Sequence, residues 1–476
     1  MIDSQTKAAT EDAIEWALLQ GLSLKNAPDS ASHAPLSFTP TAIDRKRFEN
    51  LKTSVPLLGQ MIHRVSEDHA FLLNAIEPVA HGDPFFAALL TMHRQLKKTP
   101  RLPLLIMRSD FMDDVKHGPK LIEFNGIAAG MGPFGQRIHE LHSYLKKQWP
   151  ERYANWSHAD ESELIGNPAI ERLAQGIAKA TMQIKREFDD KGPPTFMMIV
   201  QTNEDNVFDQ HLLELALQSK GIRTVRRTFR ELHGRLSSGP KNRLLLAGVG
   251  PIDCVYLRAG YDYCDYAAND IIGQVCCEAL TQTRVFIEQH RVAVNATVSQ
   301  QLATSKRVQM LVTAMTPAQL SRFGLTLDEA KAVKALLGEM LAVDEHSADW
   351  MSKQSSGDWV LKNQGEGGGH CIFDEKIQPT LQRLNPEEYQ VWSLMRRLQP
   401  KPRANPALLV RKGEQSVILD LISEIGMFTV HIEGKPAVEE QGYAGYLIRS
   451  KSATTTEGGV HSGMGVLDSL AYLKTK

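Results

Sequence analysis

The chain has 476 residues, 42% hydrophobic and 23% charged, which is enough for roughly two or three globular domains with sizeable cores. Its 54 basic and 55 acidic side chains balance, which excludes the broad positive field typical of proteins that bind nucleic acid or membrane surfaces. No apolar run approaches the roughly 18 residues of a membrane span. The five cysteines include no CxxC pair and are interpreted as reduced thiols. The N-terminal stretch is acidic and amphipathic, so we expect a cytoplasmic protein, or a secreted one if a leader has been removed.

The first part of the chain is predicted to be mainly helical, with two strands near its end. The predicted elements are a helix at 7–22, a loop at 24–42, two or three helices at 44–98, strands at 102–107 and 120–124, and a helix at 136–147.

Alternating strands and helices follow the turn Lys191-Gly192-Pro193-Pro194, where we place a domain boundary. The unit that begins there ends near residue 297. A helical pattern covers 305–345. The elements expected after it are strands at 358–362, 369–373, 407–411 and 416–424, a helix near 386–396, and a mobile glycine-rich loop at 454–465.

The most informative segment is Trp359-Val-Leu-Lys362-Asn-Gln-Gly-Glu366-Gly-Gly-Gly369. A strand ends in a lysine, and consecutive glycines after it allow backbone amides to approach a polyphosphate closely. Glu366 is a hard carboxylate that suits Mg²⁺. The alternative is a glycine-rich hairpin with a solvated lysine. The combination of lysine, carboxylate and glycine triplet favours a nucleotide site.

A second segment, Lys120-Leu-Ile-Glu123-Phe-Asn125-Gly126, places Glu123 and Asn125 on one face of a strand. Both side chains offer oxygen ligands for magnesium, although the polar face of an edge strand has the same pattern. Just beyond it, Gly130-Met-Gly132-Pro-Phe-Gly135 fits GxGxxG. Pro133 and the distance from the preceding strand make dinucleotide binding a weak alternative.

Three further segments have the composition of ligand sites. Glu204-Asp-Asn206-Val-Phe-Asp209-Gln210 lies between a strand and a helix, with helix capping by Asn206 as the alternative. Arg258 ends a strand and suits a substrate carboxylate, although a surface ion pair has the same pattern. Arg449-Ser-Lys451, followed by the loop 457–463, suits a lid over phosphates, and a disordered tail is its alternative.

The sequence lacks the motifs of a P-loop, a serine hydrolase and a zinc protease. It contains no GxxxxGK[ST], GxSxG or HExxH motif. His139 and His142 are spaced for one helix face, but no third metal ligand lies near them, so we interpret them as ordinary residues of a polar face.

Taken together, the segments resemble the eukaryotic-type glutathione synthetase family along essentially the whole chain. The motifs with this resemblance are MRSDFM, LIEFN, NEDNVFDQ, YLRAGY, ATSKRVQ, LKNQGEGGG, ISEIGMF, LIRSK and EGGV. The resemblance implies a mixed α/β, ATP-grasp fold with glycine-rich lid loops. It implies an ATP-grasp body at 1–192 and 299–476, an inserted α/β substrate-binding domain at 193–298, and a homodimer.

The resemblance also implies which residues form the site. As magnesium ligands it implies Glu123, Asn125 and Glu366. As ATP-binding residues it implies Lys306, Lys362, Glu366, Gly367, Gly368, Gly369, Met395, Arg396, Arg397, Leu398, Glu424, Lys451 and Glu457. As residues that hold γ-glutamylcysteine and glycine it implies Arg108, Ala128, Gly130, Glu204, Asn206, Gln210, Arg258, Tyr261, Arg449, Val460 and His461. The implied catalytic residues are Arg108, Lys306, Lys362 and Arg449. ATP would phosphorylate the cysteinyl carboxylate, and the amine of glycine would then attack the acyl phosphate.

Three departures from the family pattern affect the substrate and adenine segments. Ala128 and Gly130 stand where the family has serines, and His461 stands where it has alanine. Arg396 replaces an expected acidic residue. We therefore consider an ordinary glutathione synthetase, a diverged ligase with another substrate or acceptor, and a binding protein with low activity. Restoring serine at 128 and 130 and alanine at 461 is predicted to improve turnover with glycine.

Overall fold

A computed structural model describes residues 2–158, 161–268, 270–271, 278–365, 371–456, 458–460 and 464–474. Within these ranges the helices α1 to α16 are, in order, Ser4–Leu19, Arg45–Glu67, His69–Gly82, Pro84–Gln95, Gly132–Gln148, Pro150–Trp156, Ala169–Lys185, Val207–Gln218, Phe229–Leu232, Glu278–Glu288, Val298–Ala303, Lys306–Ala314, Pro317–Leu320, Leu327–Leu336, Ser347–Met351 and Ile377–Leu381. Short 3₁₀ turns lie at Pro240–Asn242, Tyr263–Tyr266, Ser321–Phe323, Ser356–Asp358, Asp374–Lys376, Pro386–Val391 and Glu440–Gly442.

The strands of the same ranges, β1 to β25, are Ser23–Ala27, Ser30–His33, Leu36–Ser37, Thr41–Ile43, Leu102–Asp114, Gly118–Asn125, Glu161–Leu164, Thr195–Ile199, Arg223–Arg227, Leu236–Gly239, Arg243–Leu246, Gly250–Pro251, Cys254–Leu257, Ala293–Asn295, Met340–Ala342, Trp359–Lys362, Cys371–Phe373, Ser393–Arg396, Ala407–Arg411, Glu414–Ile418, Leu421–Ile432, Lys435–Pro436, Tyr443–Ser452, Val466–Asp468 and Leu470–Leu473.

Three sequence-based predictions need correction. The segment 24–42 is not a loop, because it forms β1 to β3 and the start of β4. The predicted helix near 386–396 is a 3₁₀ turn followed by β18, which pairs with β15 and β16. His142 is not on a polar face, since its Nδ1 lies 2.7 Å from Ser469 Oγ and its Nε2 lies 2.8 Å from the carbonyl oxygen of Ser37, inside the core.

One large sheet organises the molecule, in the order β20-β19-β3-β24-β23-β21-β5-β14-β13-β8-β9, with β6 added to β5 and β22 to β21. Its half from β14 to β9 is parallel and its half around β5, β21 and β23 is antiparallel. Strands on both sides of residue 192 thus join one sheet, and the proposed boundary there stays a prediction.

Strand β5 positions the site because its partner changes along one edge. Its first residues pair with parallel β14, and from Arg108 onward the same edge pairs with antiparallel β6. The chain leaves β6 at Asn125 into the segment 126–131, which we call the donor loop, and then enters α5 at Gly132. Gly132 and Gly135 of the GxGxxG match are therefore helical residues, with no strand-to-helix turn between them.

Two extended hydrophobic clusters cover the faces of the sheet, and a smaller one supports the separate sheet β15-β18-β16-β17. Helix α5 packs on β23, and α2 packs on β21. Among the residues placed by the structure, no helix combines the length and apolar character needed to cross a bilayer.

Candidate active site

Strand register brings distant polar residues onto one face of the large sheet. Side chains alternate along a strand, and directly paired residues share a face. Arg108 pairs with Asn125, Asp110 with Glu123, and Glu424 with Arg449. The members of this face, which we call the reaction face, are Arg108, Asp110, Glu123, Asn125, Glu424 and Arg449.

Asp110 holds the reaction face together. It is fully buried, and Arg108 donates to both of its oxygens, with Nε–Oδ1 at 2.6 Å and Nη2–Oδ2 at 2.8 Å. Its Oδ2 also accepts from Arg449 Nη2 at 3.1 Å and from Asn125 Nδ2 at 2.9 Å. Arg449 in turn bonds Glu424. Asp110 therefore orients two arginines and an amide, and its oxygens are occupied by these donors.

Gly426 leaves the space that the Arg108 and Asp110 side chains occupy. A Cβ at Gly426 would lie 2.8 Å from both Arg108 Cδ and Asp110 Oδ1. Only a residue without a side chain therefore lets the Arg108 and Asp110 side chains lie over β21.

Two buried lysines approach the reaction face from other elements. Lys306 begins α12, which Ser305 caps, and its Nζ lies 3.8 Å from Glu123 Oε2 and 2.7 Å from the carbonyl oxygen of Gly365. Lys362 ends β16, and its Nζ donates to the carbonyl oxygen of Ile122 at 3.2 Å. Gln309 donates to the same carbonyl at 3.1 Å, so α12 and β16 meet at β6.

The electrostatics of the site centre on Glu123. Burial alone raises the pKa of this carboxyl, but Lys306, Lys362, Arg449 and Arg108 lower it to about 2. Burial lowers the pKa of Lys362, and Glu123 opposes that shift. Burial likewise lowers the pKa of Arg449 against the effect of Asp110. The site thus brings four cations together with the carboxylates of Asp110, Glu123 and Glu424, and the cations suit an anionic ligand.

The same face offers hard-oxygen ligands for a metal. Glu123 is ionised, and Lys306 stands beyond hydrogen-bond distance from it. Asn125 uses Nδ2 for Asp110, which turns its Oδ1 away from that contact. A carboxylate and an amide oxygen at adjacent face positions fit Mg²⁺. The third predicted ligand, Glu366, lies outside the described residues.

The predicted ATP-binding residues are only partly described. Met395 is buried on β18, and Arg397 Nη1 donates to Asp374 Oδ1 at 2.7 Å. Arg396 lies over the Trp359 ring and 3.5 Å from Asp358, and Leu398 follows the strand. Lys451 is on β23, two residues after Arg449, so both belong to a strand and not to a disordered tail. Gly367, Gly368, Gly369 and Glu457 lie outside the described residues.

The predicted substrate residues gather at the ends of β8 and β13. Arg258 follows β13, is buried, and donates from Nη1 to Asp209 Oδ2 at 3.0 Å. The Arg258–Asp209 pair is therefore buried, which rules out the alternative of a surface ion pair. Asp209 also accepts from the backbone N–H of Met131 at 2.9 Å, at the end of the donor loop. Arg108 Nη1 donates to the carbonyl oxygen of Gly130 at 3.1 Å, which joins this pocket to the reaction face.

Glu204 and its neighbours form the other wall of this pocket. Glu204 accepts from the backbone N–H of Asn206 at 3.1 Å and from Gln210 Nε2. Asn206 precedes α8 without making a side-chain cap bond, so helix capping does not explain it. Its Oδ1 is buried and has no hydrogen-bond partner among the described residues. Burial, with Asp265, raises the pKa of Tyr261 to about 12.

The sequence analysis assigned no role to two important residues, Asp110 and Asp209. Asp110 lies two positions after Arg108, and period-two spacing in MRSD places both on one face. Asp209 was noted in its segment, but its pairing with Arg258 depends on the approach of α8 to β13. Val460 is buried in the apolar cluster beneath β23. His461 lies outside the described residues.

Comparisons with known proteins identify the family of the chain. The family model described as eukaryotic glutathione synthase, ATP binding domain, matches residues 3–472. The chain belongs to this family. It is 28% identical to the chloroplastic glutathione synthetase of Solanum lycopersicum, over 98% of this chain and 85% of that protein. It is 28% identical to the glutathione synthetase of Xenopus laevis, over 96% and 94%.

A solved structure shares the fold. The glutathione synthetase-like effector of Globodera pallida, in its apo form, superposes with a TM-score of 0.74 at 20% identity, covering 99% of this chain and 98% of that one. The expected mixed α/β, ATP-grasp fold of the glutathione synthetase family is thereby confirmed. Members of this family are ATP-dependent ligases that act on small molecules, and ATP use follows from membership.

Proposed function

We propose that the chain ligates glycine to γ-glutamylcysteine in an ATP- and magnesium-dependent reaction that passes through an acyl phosphate. The supporting observation is the convergence of Arg108, Lys306, Lys362 and Arg449 on the ionised Glu123. A homodimeric assembly, which the family resemblance implies, is part of the same proposal, as is the cytoplasmic location expected from the sequence.

In the first step, an oxygen of the cysteinyl carboxylate attacks the γ-phosphorus of ATP, and the bond from that phosphorus to the β–γ bridging oxygen breaks. ADP leaves and an acyl phosphate remains. Lys362 and Lys306 stabilise the negative charge of the transferred group, because buried, preorganised cations cost little reorganisation. Arg108 and Arg449, held by Asp110, orient the carboxylate for this attack.

In the second step, the amine nitrogen of glycine attacks the acyl carbon. The bond from that carbon to the phosphate oxygen breaks, inorganic phosphate leaves, and the ammonium formed releases a proton. No covalent enzyme intermediate is required, so the four cations act by position and charge. Glu123 and Asn125 would hold Mg²⁺, which supplies charge neutralisation on the phosphates when bound.

A diverged ligase with another donor or acceptor is the second candidate. The donor loop favours it, because Ala128 has a methyl group and Gly130 no side chain where the family offers hydroxyls. Ala128 also adopts a left-handed conformation with φ of 50°. A hydrogen bond lost to a charged substrate group costs about 1.5–3 kcal/mol, which is enough to change substrate preference.

Phosphate release distinguishes these candidates. The purified protein, with ATP and Mg²⁺, is assayed with γ-glutamylcysteine and a panel of acceptors containing glycine, alanine, serine and β-alanine. The proposal expects phosphate release that depends on γ-glutamylcysteine and is highest with glycine. Preference for another acceptor establishes the diverged ligase. ATP binding without phosphate release for any pair contradicts the proposal and leaves a ligase with another donor or a binding protein.

A further inference from the structure

Two pairs of neighbouring residues exchange hydrogen bonds where β16 leads into the glycine-rich segment. Lys306 Nζ donates to the carbonyl oxygen of Gly365 at 2.7 Å, and the backbone N–H of Arg307 donates to Gln364 Oε1 at 3.0 Å. In each pair, the side chain of the first residue bonds the backbone of the second residue of the other pair. This reciprocal contact, which we call the lysine clamp, joins the start of α12 to the segment after β16.

Gln364 fixes the lysine clamp to the core of the molecule. The residue is only 1% exposed, and its Nε2 donates to the carbonyl oxygen of Val391 at 3.1 Å. Val391 ends the 3₁₀ turn that precedes β18. The amide therefore has one polar atom bonded to α12 and the other bonded to the turn before β18. A buried amide with both ends bonded is restricted to one orientation, because leaving either end unpaired is costly.

Helix α12 depends on this amide at its first turn. The first N–H groups of a helix have no acceptor within the helix, so other groups must supply one. Ser305 Oγ accepts from the backbone N–H of Val308 at 3.3 Å, and Gln364 Oε1 accepts from that of Arg307, the second helical residue. Lys306 is the first residue of the helix, so its backbone is held by the two residues that cap this turn.

The lysine clamp also holds the far end of the Lys306 side chain. A long, flexible lysine side chain keeps its ammonium in one place only if the ammonium itself is bonded. The bond to Gly365 does this, and it leaves Nζ 3.8 Å from Glu123 Oε2, among the four cations of the site. Lys362 lies two residues before Gln364 on the same segment, so both lysines are positioned relative to one short stretch of chain.

We propose that Gln364 is a positioning residue for Lys306, and that it holds the Lys306 ammonium at the phosphoryl group on which Lys362 also acts. In this role Gln364 acts through Lys306 and contacts no substrate. The inference rests on the proposed function and deepens it, because it explains how two lysines from different elements reach the same group.

The first test compares Gln364→Met with Gln136→Met. Gln136 is also buried, and its Oε1 accepts from the backbone N–H of Ile170, the second residue of α7, at 2.8 Å. It therefore caps a helix in the same way, on elements that carry none of the four cations. We expect kcat for phosphate release to fall about tenfold or more in Gln364→Met, because misplaced catalytic groups lose rate, and to stay within about twofold in Gln136→Met. An unchanged kcat in Gln364→Met would overturn the inference.

A double-mutant cycle shows whether Gln364 acts through Lys306. In a Lys306→Met background, Gln364→Met should lower kcat by less than about twofold, because the group that it positions is already absent. Equal losses in both backgrounds would mean that Gln364 supports the fold alone, and would overturn the inference. Should Gln364→Met not fold, Gln364→Asn takes its place with the same expectation, since its shorter amide cannot reach both Arg307 and Val391.

A third readout separates this inference from the proposed function. Calorimetry with Mg²⁺ and a non-hydrolysable ATP analogue needs no turnover, and ADP lacks the phosphoryl group that Lys306 is proposed to contact. If phosphate is never released, weaker analogue binding by Gln364→Met with unchanged ADP binding leaves the positioning role standing without the ligase. Without phosphate release, equal analogue binding by parent and variant overturns the inference. Absence of analogue binding to the parent overturns both.

Discussion

The reaction face and the donor loop perform comparable tasks with different architecture. On the reaction face, paired strands bring six polar residues together, and Asp110 connects four of them through direct bonds or through Arg449. At the donor loop, Arg258 and Asp209 come from a strand end and a helix, and the guanidinium of Arg258 lies against the Cα of Gly130. On the reaction face, sheet register fixes the polar residues relative to one another. At the donor loop, the position of Arg258 depends on the size of the neighbouring side chains.

The largest effect should come from removing the charge at the centre of the reaction face. Asp110→Asn leaves the buried Arg108 and the partly buried Arg449 without their shared carboxylate, and breaking a buried pair costs about 3–5 kcal/mol. We expect a loss of that size in the free energy of unfolding, measured with urea. Asp113→Asn on the same strand is the control, because its pair with Arg47 is partly exposed and worth about 0–1 kcal/mol. Equal losses in both variants would contradict the central role of Asp110.

The next prediction concerns Lys362, whose charge should affect the reaction rate and not the stability of the fold. Lys362→Met keeps the length and apolar stem of the side chain on β16 but removes the charge. We expect kcat to fall by about 10²–10³, the usual size for losing one transition-state charge contact, with the melting temperature nearly unchanged. Lys331→Met on exposed α14 is the control and should keep full activity. If Lys362→Met retains kcat, the cation cluster does not stabilise the transferred phosphoryl group.

Glu123 and His431 respond to acid in different pH ranges. Glu123 has a lowered pKa of about 2, so it stays ionised, and its contribution to stability is lost only as the pH falls towards 2. His431 differs, because burial, with the charge of His63, lowers its pKa to about 4. Stability is therefore highest above pH 6.5 and falls as the pH drops from 6.5 to about 4, because over that range the unfolded state binds a proton that the folded state does not.

The lowered pKa of His431 predicts a measurable slope of the free energy of unfolding against pH. One proton taken up on unfolding changes the free energy of unfolding by about 1.4 kcal/mol per pH unit, so stability should fall between pH 6 and pH 4. His431→Leu should reduce that slope by about one proton, measured by urea unfolding at several pH values. His346→Leu, at an exposed position, should leave it unchanged. An unaltered slope in His431→Leu would show that another group takes up the proton.

The smallest effect should appear at the wall of the donor pocket. Arg226 donates to Gln210 at 2.6 Å and to Glu214 at 2.9 Å, and Gln210 bonds Glu204. Arg226→Lys should loosen Gln210 and raise the KM for the donor about fivefold without changing kcat, because a lysine lacks the planar fork. Arg223→Lys on the same strand is the control, because Arg223 donates to the backbone carbonyl of Val249, away from the pocket. A change in kcat would place Arg226 in the chemistry instead.

The sequence by itself was sufficient for the α/β class, the family and most of the reaction face. Period-two alternation depends only on the order of residues along a strand, so the order alone places Glu123 and Asn125 on one face. The spacing of Arg108 and Asp110 contains the same information. The segment 386–396 has the length and polarity of a helix, and neither property shows that β18 completes a sheet with β15 and β16.

Only the tertiary structure decided how separate elements meet. Asp110 accepts a hydrogen bond from Arg449, which lies on a strand more than 300 residues later in the chain. The two residues are close because only β21 separates β5 from β23 in the sheet. From the sequence, Gly130 is a position where the family's serine hydroxyl is absent. The structure shows that the space beside its Cα is occupied by the guanidinium of Arg258. A local pattern records which face a side chain occupies, but the volume available to it is set by residues distant in sequence, and that volume exists only once the chain is packed.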